Sequence, residues 1–347
     1  MTDAQRATAD WHPDVLGGEV AARSIPLTPD RAAAESPGAA PLTATLVRMA
    51  PPRHRRAYLY LHGFSDYFFQ ADWARRLGER TRGDFYAIDL RRYGRSLGPD
   101  QLAGDVRDLA EYDEELLAAI DLVRADGHDQ VLLVAHSTGG LIAPLFLSRH
   151  RRAVDGLVLN SPWFDINDSG LMRLVSGPLA RAHALRDPRR IVSELGPGYT
   201  ETIHASRGGE FDFDLAWKPF EGFPVRAGWL AAIRRGQHQL ARGLHLGLPI
   251  LMCTSSRSGG TNGRAPRPGD HDASDTVLDV RHMWRAVPTL GRDVVLRTVP
   301  GGRHDLALSA GPARDDYLHA VVDWVEQRFG IEDDDGPADD PEERRAR

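Results

Sequence analysis

Three short stretches of the chain hold residue types that nucleophilic acyl chemistry needs. In Val131-Leu132-Leu133-Val134-Ala135-His136-Ser137-Thr138-Gly139-Gly140-Leu141, an apolar run ends in small residues around a serine, and a helical pattern follows. A serine on a tight strand-to-helix turn needs small neighbours two positions away, so that strand and helix can approach; Ala135 and Gly139 meet that need. The turn lifts the hydroxyl above the C-terminal edge of a sheet. The helix behind it offers free N–H groups and a favourable dipole to a developing oxyanion. His136 adjoins the serine in sequence and so cannot also lie in line with its hydroxyl and a carboxylate. It reads as a residue of the pocket wall.

The second stretch, Leu59-Tyr60-Leu61-His62-Gly63-Phe64-Ser65-Asp66-Tyr67, is a strand ending in His-Gly. Gly63 lets the backbone turn toward a substrate, so the N–H of Phe64 is expected to join that of Thr138 in holding an oxyanion. His62, Gly63, Tyr67 and His136 are then the expected substrate-side residues. The third stretch, Val299-Pro300-Gly301-Gly302-Arg303-His304-Asp305, puts His304 in a glycine-rich loop, where it is the expected general base. For the acid that orients it, Asp272, Asp275 and Asp279 compete. Val277, Val280, Met283, Trp284 and Val287 mark a helix; Asp275 stands just ahead of it and Asp279 is expected inside it. Asp275 leads and Asp272 stays in play, because the long Gly-, Ser-, Arg- and Pro-rich run from Ser255 to Asp270 blurs the alignment. The chain order Ser137, Asp275, His304 suits a serine, acid and histidine carried on loops after separate strands of one sheet. Asp89 and Arg91, after another strand-like run, are expected to brace the loops around the site.

These loops need a sheet to carry them. Thr43–Met49, Ala57–Leu61, Phe85–Leu90, Val131–Ala135, Gly156–Asn160, Ile250–Cys253 and Val294–Val299 are short apolar runs, apolar on both faces as buried parallel strands require. Helical spacing links them: Leu102 to Val123, Leu141 to Leu147 with Pro144 expected to disturb it, and Leu318 to Phe329. Strands alternating with helices predict an α/β fold with a doubly wound, mostly parallel sheet. The core is expected in residues 43–162 and 247–330. Residues 163–246 show no clear strand and read as a mostly helical insertion lying over the sheet edge, with Phe211, Phe213, Trp217, Phe220, Phe223 and Trp229 as its own core or a ligand wall. Residues 1–42 read as an irregular arm, and 331–347 as a disordered acidic and Arg-rich tail.

The 347 residues are 41% hydrophobic and 27% charged, with a net charge of −6. That gives no reason to expect nucleic-acid binding, which usually leaves a basic footprint. Lys218 is the only lysine among 43 basic residues, a usage that reads as genome composition. One cysteine, Cys253, excludes an internal disulfide and points to a reducing cytoplasm. No apolar run suggests a leader or a transmembrane segment. Nothing in the pattern bears on oligomeric state. His271, Asp272, Asp275 and His282 fit no common metal-ligand spacing and leave Ser137 unexplained, so no metal and no organic cofactor are expected.

The His-Gly-Phe loop, the Asp89-to-Ser96 loop, the His136-Ser137-Thr138-Gly139-Gly140 turn and the Gly-Gly-Arg-His304-Asp loop together resemble the monoacylglycerol lipase and lysophospholipase-like branch of the α/β-hydrolases, related to the serine aminopeptidases. The resemblance covers roughly residues 43–330. It implies hydrolysis of small-molecule or lipid-like carboxylic esters through an acyl-enzyme, under a lid between the strands near Asn160 and Ile250. Ala135 replaces the usual glycine, Arg92-Tyr93 departs from the family loop, and the Ser255–Asp270 loop is long. Acyl transfer on the same residues, and a fold relative kept for binding, are the competing expectations. An epoxide hydrolase or dehalogenase would need a carboxylate where Ser137 stands.

Overall fold

The computed structural model describes residues 10–36, 38–166, 170–196, 198–260 and 265–331. In chain order its strands are β1 (His12–Pro13), β2 (Ala21–Pro26), β3 (Thr43–Arg48), β4 (Arg56–Leu61), β5 (Gly83–Asp89), β6 (Gln130–His136), β7 (Gly156–Asn160), β8 (Ile191–Ser193), β9 (Val225–Arg226), β10 (Ile250–Ser255) and β11 (Val294–Val299). Its helices are α1 (Arg31–Ala34), α2 (Ala71–Thr81), α3 (Asp113–Ala125), α4 (Gly139–Arg149), α5 (Gly170–Arg186), α6 (Tyr199–Ile203), α7 (Ala227–Ala241), α8 (Asp270–Ala273), α9 (Val280–Leu290) and α10 (Gly311–Phe329).

Nine strands form one sheet in the order β1-β2-β3-β5-β4-β6-β7-β10-β11, and every pair from β5 to β11 is parallel. The apolar runs become strands because a backbone buried on both faces finds hydrogen-bond partners only in a neighbouring strand. Side chains alternate between two cores. Leu59, Leu61, Leu133, Ala135 and Leu157 face one. Tyr58, Tyr60, Leu132, Val134 and Val158 face the other, which α2 and α10 close with Trp73, Leu77, Tyr317 and Val321. Register sets Leu61 opposite Ala135 and His136 opposite Asn160, so β4, β6 and β7 end level with one another. The loops expected to carry chemistry therefore leave the sheet at a common edge. This is the doubly wound, mostly parallel α/β sheet that the runs predict.

Several details differ from expectation. The arm is not irregular throughout: β2 pairs antiparallel with β3, and β1 with β2. Its anchors are ion pairs too distant in sequence to read: Asp14 with Arg95, and Asp30 with Arg91 and Arg92. The helix expected from Leu102 begins only at Asp113, after a short 3-10 turn over Leu109–Tyr112 capped by Asp108. Helix α4 runs unbroken through Pro144, because burial of its whole length from Gly139 to Leu147 outweighs one lost backbone bond. Between β7 and β10 the chain carries α5, α6 and α7, and where no clear strand is expected β8 and β9 pair in a small antiparallel sheet of their own. Helix α7 from this segment packs on α4, with Gly236 against Leu141 and Leu145. Among the described residues, no helix is long and apolar enough to cross a membrane. The expected tail lies outside the described residues beyond Ile331.

Candidate active site

Ser137 sits between β6 and α4 with φ +51, a left-handed conformation that a non-glycine residue adopts at a cost of about 1–3 kcal/mol. Its surroundings hold it there. The Ser137 N–H donates to the Asn160 carbonyl at 3.0 Å, and the Trp163 N–H donates to the Ser137 carbonyl at 2.9 Å. The turn is tight enough that a Cβ on Gly139 would lie 2.5 Å from the His62 carbonyl oxygen, and one on Gly140 2.6 Å from Pro162. Ala135 is fully buried without disturbing the strand. A methyl group is tolerated at that position and not at Gly139.

The structure brings Ser137, Asp275 and His304 together. His304 Nε2 lies 3.0 Å from Ser137 Oγ, and its Nδ1 lies 3.0 Å from Asp275 Oδ2. A carboxylate only accepts, so Nδ1 carries the proton and the Nε2 lone pair faces the serine hydroxyl. Asp275 is fully buried, and its Oδ1 accepts the Val277 and Leu278 N–H groups at 2.9 and 2.7 Å. Asp272 points elsewhere: its exposed carboxylate pairs with Arg303 at 3.0 Å. Asp279 is not inside the helix but caps α9, accepting from the Arg281 N–H.

Phe64 and Thr138 line the same cavity as Ser137. Among the described residues neither backbone N–H has an acceptor within the chain. A Cβ on Gly63 would lie 3.0 Å from Ser137 Cβ, which shows how closely this loop approaches the nucleophile position. His136 lines the cavity, and its ring centroid lies 4.9 Å from that of His304. Burial pushes His136 below the usual histidine range, against the opposing pull of Asp305 and Asp66. It stands beside the base as a neutral ring.

His62 and Tyr67 do not line the cavity. His62 Nε2 accepts the Leu90 N–H at 3.0 Å, and Nδ1 donates to the Gly63 carbonyl at 2.7 Å. Both ring nitrogens are spent fastening the Gly63 loop to the end of β5. The Tyr67 hydroxyl accepts the Asp214 N–H, and its ring packs on Phe69 and Trp217. Asp89 is a brace: fully buried, it accepts from the Phe68 and Arg95 N–H groups.

A cavity of about 470 Å³ opens over Ser137. Phe64, Trp163, Phe220, Trp229 and Leu278 supply apolar wall, with the Phe64 and Trp229 rings 4.1 Å apart. Phe211, Phe213 and Trp217 pack instead in a separate cluster with Tyr67 and Phe69. Two features escaped the sequence. Buried Asp305, next to His304, accepts from Asn160 Nδ2 at 2.7 Å and Gln70 Nε2 at 3.0 Å, tying the base loop to the ends of β7 and α2. The polar Asn160 closing an apolar run was its one readable sign. Asp66 and Lys218, 152 positions apart, form a buried pair at 2.8 Å on the cavity wall. Burial alone would raise the Asp66 carboxyl; the Lys218 ammonium beside it holds it below the usual carboxylate range.

A family model described as serine aminopeptidase, S33, matches residues 52–309. The monoacylglycerol lipase of Paleococcus ferrophilus superposes with a TM-score of 0.62 at 13% identity, covering 83% of this chain and 99% of that one. At such identity the likeness is one of fold. The uncharacterized protein YnbC of Escherichia coli K12 is 34% identical over 134 residues, 38% of this chain and 22% of YnbC. Epoxide hydrolase 1 of Caenorhabditis elegans is 32% identical over 111 residues, 29% of this chain and 23% of that protein. The chain thus spans less than a quarter of the length of these curated relatives.

Proposed function

The chain belongs to the serine aminopeptidase S33 family of α/β-hydrolases, and from that premise we propose that it cleaves carboxylic esters of small or lipid-like molecules through an acyl-enzyme on Ser137. The observation that carries this is the unbroken relay from Asp275 through His304 to Ser137, with 3.0 Å at each step.

In this mechanism Ser137 Oγ attacks the acyl carbon while His304 Nε2 takes the hydroxyl proton. Asp275 fixes the imidazole tautomer and stabilises the imidazolium. The N–H groups of Phe64 and Thr138 receive the carbonyl oxygen as it becomes an oxyanion, each worth about 3–4 kcal/mol in the transition state. The C–O bond to the leaving alcohol then breaks, and His304 returns the proton to that oxygen. Water attacks the acyl-serine with His304 again as base, which releases the carboxylic acid and restores Ser137. Epoxide chemistry does not fit, since Ser137 stands where that reaction needs a carboxylate. The apolar wall of Phe64, Trp163 and Trp229 suits an acyl chain of medium length.

A fluorophosphonate probe tests the reading. Folded wild-type protein is expected to take one label, on the peptide bearing Ser137, and to hydrolyse 4-nitrophenyl esters; Ser137→Ala is expected to do neither. A wild type that stays unlabelled would sink the proposal.

A further inference from the structure

Arginine accounts for all but one of the chain's 43 basic residues. That usage does not explain where the one lysine stands. Lys218 comes from the segment between β7 and β10, its side chain is 8% exposed, and it lines the cavity over Ser137. Its ammonium lies 2.8 Å from Asp66, with the ring centroids of Phe69 and Phe213 at 5.7 and 5.9 Å. Asp66 is the only hydrogen-bond partner of that ammonium among the described residues, although an ammonium carries three donors. A compact ammonium fits between a carboxylate and two rings, where a planar guanidinium with its broad fork would not pack in the same way.

Asp66 is a buried carboxylate beside the loop expected to hold the oxyanion; its Oδ2 lies 3.5 Å from the Gly63 N–H. Left open, it would be a seat for a cationic group on a substrate, such as the protonated amine that any aminopeptidase must receive. Here the protein's own ammonium fills the seat. We propose that Lys218 sets the charge preference of the cavity, shutting out substrates that carry a protonated amine and offering its free N–H donors to a carboxylate or carbonyl oxygen away from the scissile ester. A second cation near Lys218 meets like-charge repulsion in a poorly hydrated space, and its counter-charge is already taken. An oxygen acceptor meets donors that have no other hydrogen-bond acceptor than Asp66 among the described residues. This inference rests on the ester-hydrolase reading and narrows its substrate class.

The test compares 4-nitrophenyl esters of heptanoate, 6-aminohexanoate and adipate, which place a neutral, cationic or anionic end at similar reach. A second series carries the same three ends on the alcohol of a butyrate ester. The readout is the kcat/KM ratio of carboxylate to ammonium substrate. Wild type is expected to favour the carboxylate in at least one series. In that series Lys218→Met is expected to swing the ratio toward the ammonium substrate by at least about tenfold, since Asp66 is then free to receive it. Lys218→Arg, which keeps the charge, should keep the direction of the preference. If Lys218→Met does not fold, the double variant Asp66→Asn, Lys218→Met leaves no unpaired charge and should bring the ratio close to that of an uncharged wall. A wild type that accepts the ammonium ester as readily as the carboxylate in both series overturns the inference, as does a ratio unmoved in the folded variant. Failure of wild type both to hydrolyse the heptanoate and to take the fluorophosphonate label sinks the ester-hydrolase reading and this inference with it. Normal hydrolysis with an unmoved ratio sinks the inference alone.

Discussion

At the scale of single residues, the geometry separates two aspartates that sequence spacing left close. Asp275 is fully buried, faces His304 Nδ1 and takes two backbone N–H groups on its other oxygen. Asp272 is 68% exposed and its partner is Arg303, the residue before the base. If His304 works as proposed, Asp275→Asn reverses the hydrogen bond to Nδ1 and favours the wrong tautomer, and kcat should fall about 10⁴-fold with the fold intact. Asp272→Asn breaks one exposed pair and should change kcat less than about threefold. Steady-state kinetics on a 4-nitrophenyl ester, with circular dichroism on both variants, makes the comparison. Equal losses in the two would put the acid's assignment in error. His62 carries the opposite lesson. A histidine beside a glycine at a strand end has the same look whether it faces substrate or fastens a loop, and only the positions of the Leu90 N–H and Gly63 carbonyl decide for the loop.

At the scale of elements, the chain's N-terminal strands are held by charge as much as by pairing. Asp30 accepts from Arg92 at 2.7 and 2.8 Å, from Arg91 at 3.3 Å, and from the Ala33 N–H at the start of α1. Arg91 in turn is locked onto Glu115, fully buried on α3. Asp30→Asn leaves buried guanidinium charge short of its partner, and urea titration at pH 7 should show a loss of about 3 kcal/mol. Burial alone would raise the Asp30 carboxyl, but Arg92 and Arg91 hold it below the usual carboxylate range. A group depressed in the folded state stabilises above its unfolded pKa and loses that contribution as pH falls toward the folded value. Wild type should therefore weaken progressively below about pH 5, and Asp30→Asn should lose less over the same window. The same elements show what a sequence makes legible. β4 and β6 stand out because burial on both faces demands unbroken apolar runs, and the loops after them inherit a fixed place at the sheet edge. β1 and β2 do not stand out: His12–Pro13 is two residues long, and Ala21–Pro26 mixes Arg and Ser with its apolar positions. Their anchoring pair, Asp14 with Arg95, is 81 positions apart, and no local pattern signals it.

At the scale of the whole molecule, the segment between β7 and β10 and the sheet edge meet around the cavity, so substrate choice depends on both. Phe64 comes from the loop after β4 and Trp163 from the turn after β7, and Trp229 reaches across from α7. A wall of this kind discriminates by buried apolar area. Each methylene it covers contributes about 0.8 kcal/mol, or roughly fourfold in kcat/KM, until the space is full. A series of 4-nitrophenyl esters of increasing acyl length should therefore climb and then break, and the break marks the end of a cavity of about 470 Å³. Trp229 is 2% exposed and packs at a tilt against both Phe64 and Trp163, so replacing it by alanine lengthens the cavity at some cost in stability. Trp229→Ala is expected to shift the break toward longer acyl chains while the shortest esters change little. A wild-type profile flat across chain lengths would count against an acyl-binding wall. A break that stays in place in Trp229→Ala would mean that the acyl chain leaves Ser137 in another direction, away from α7.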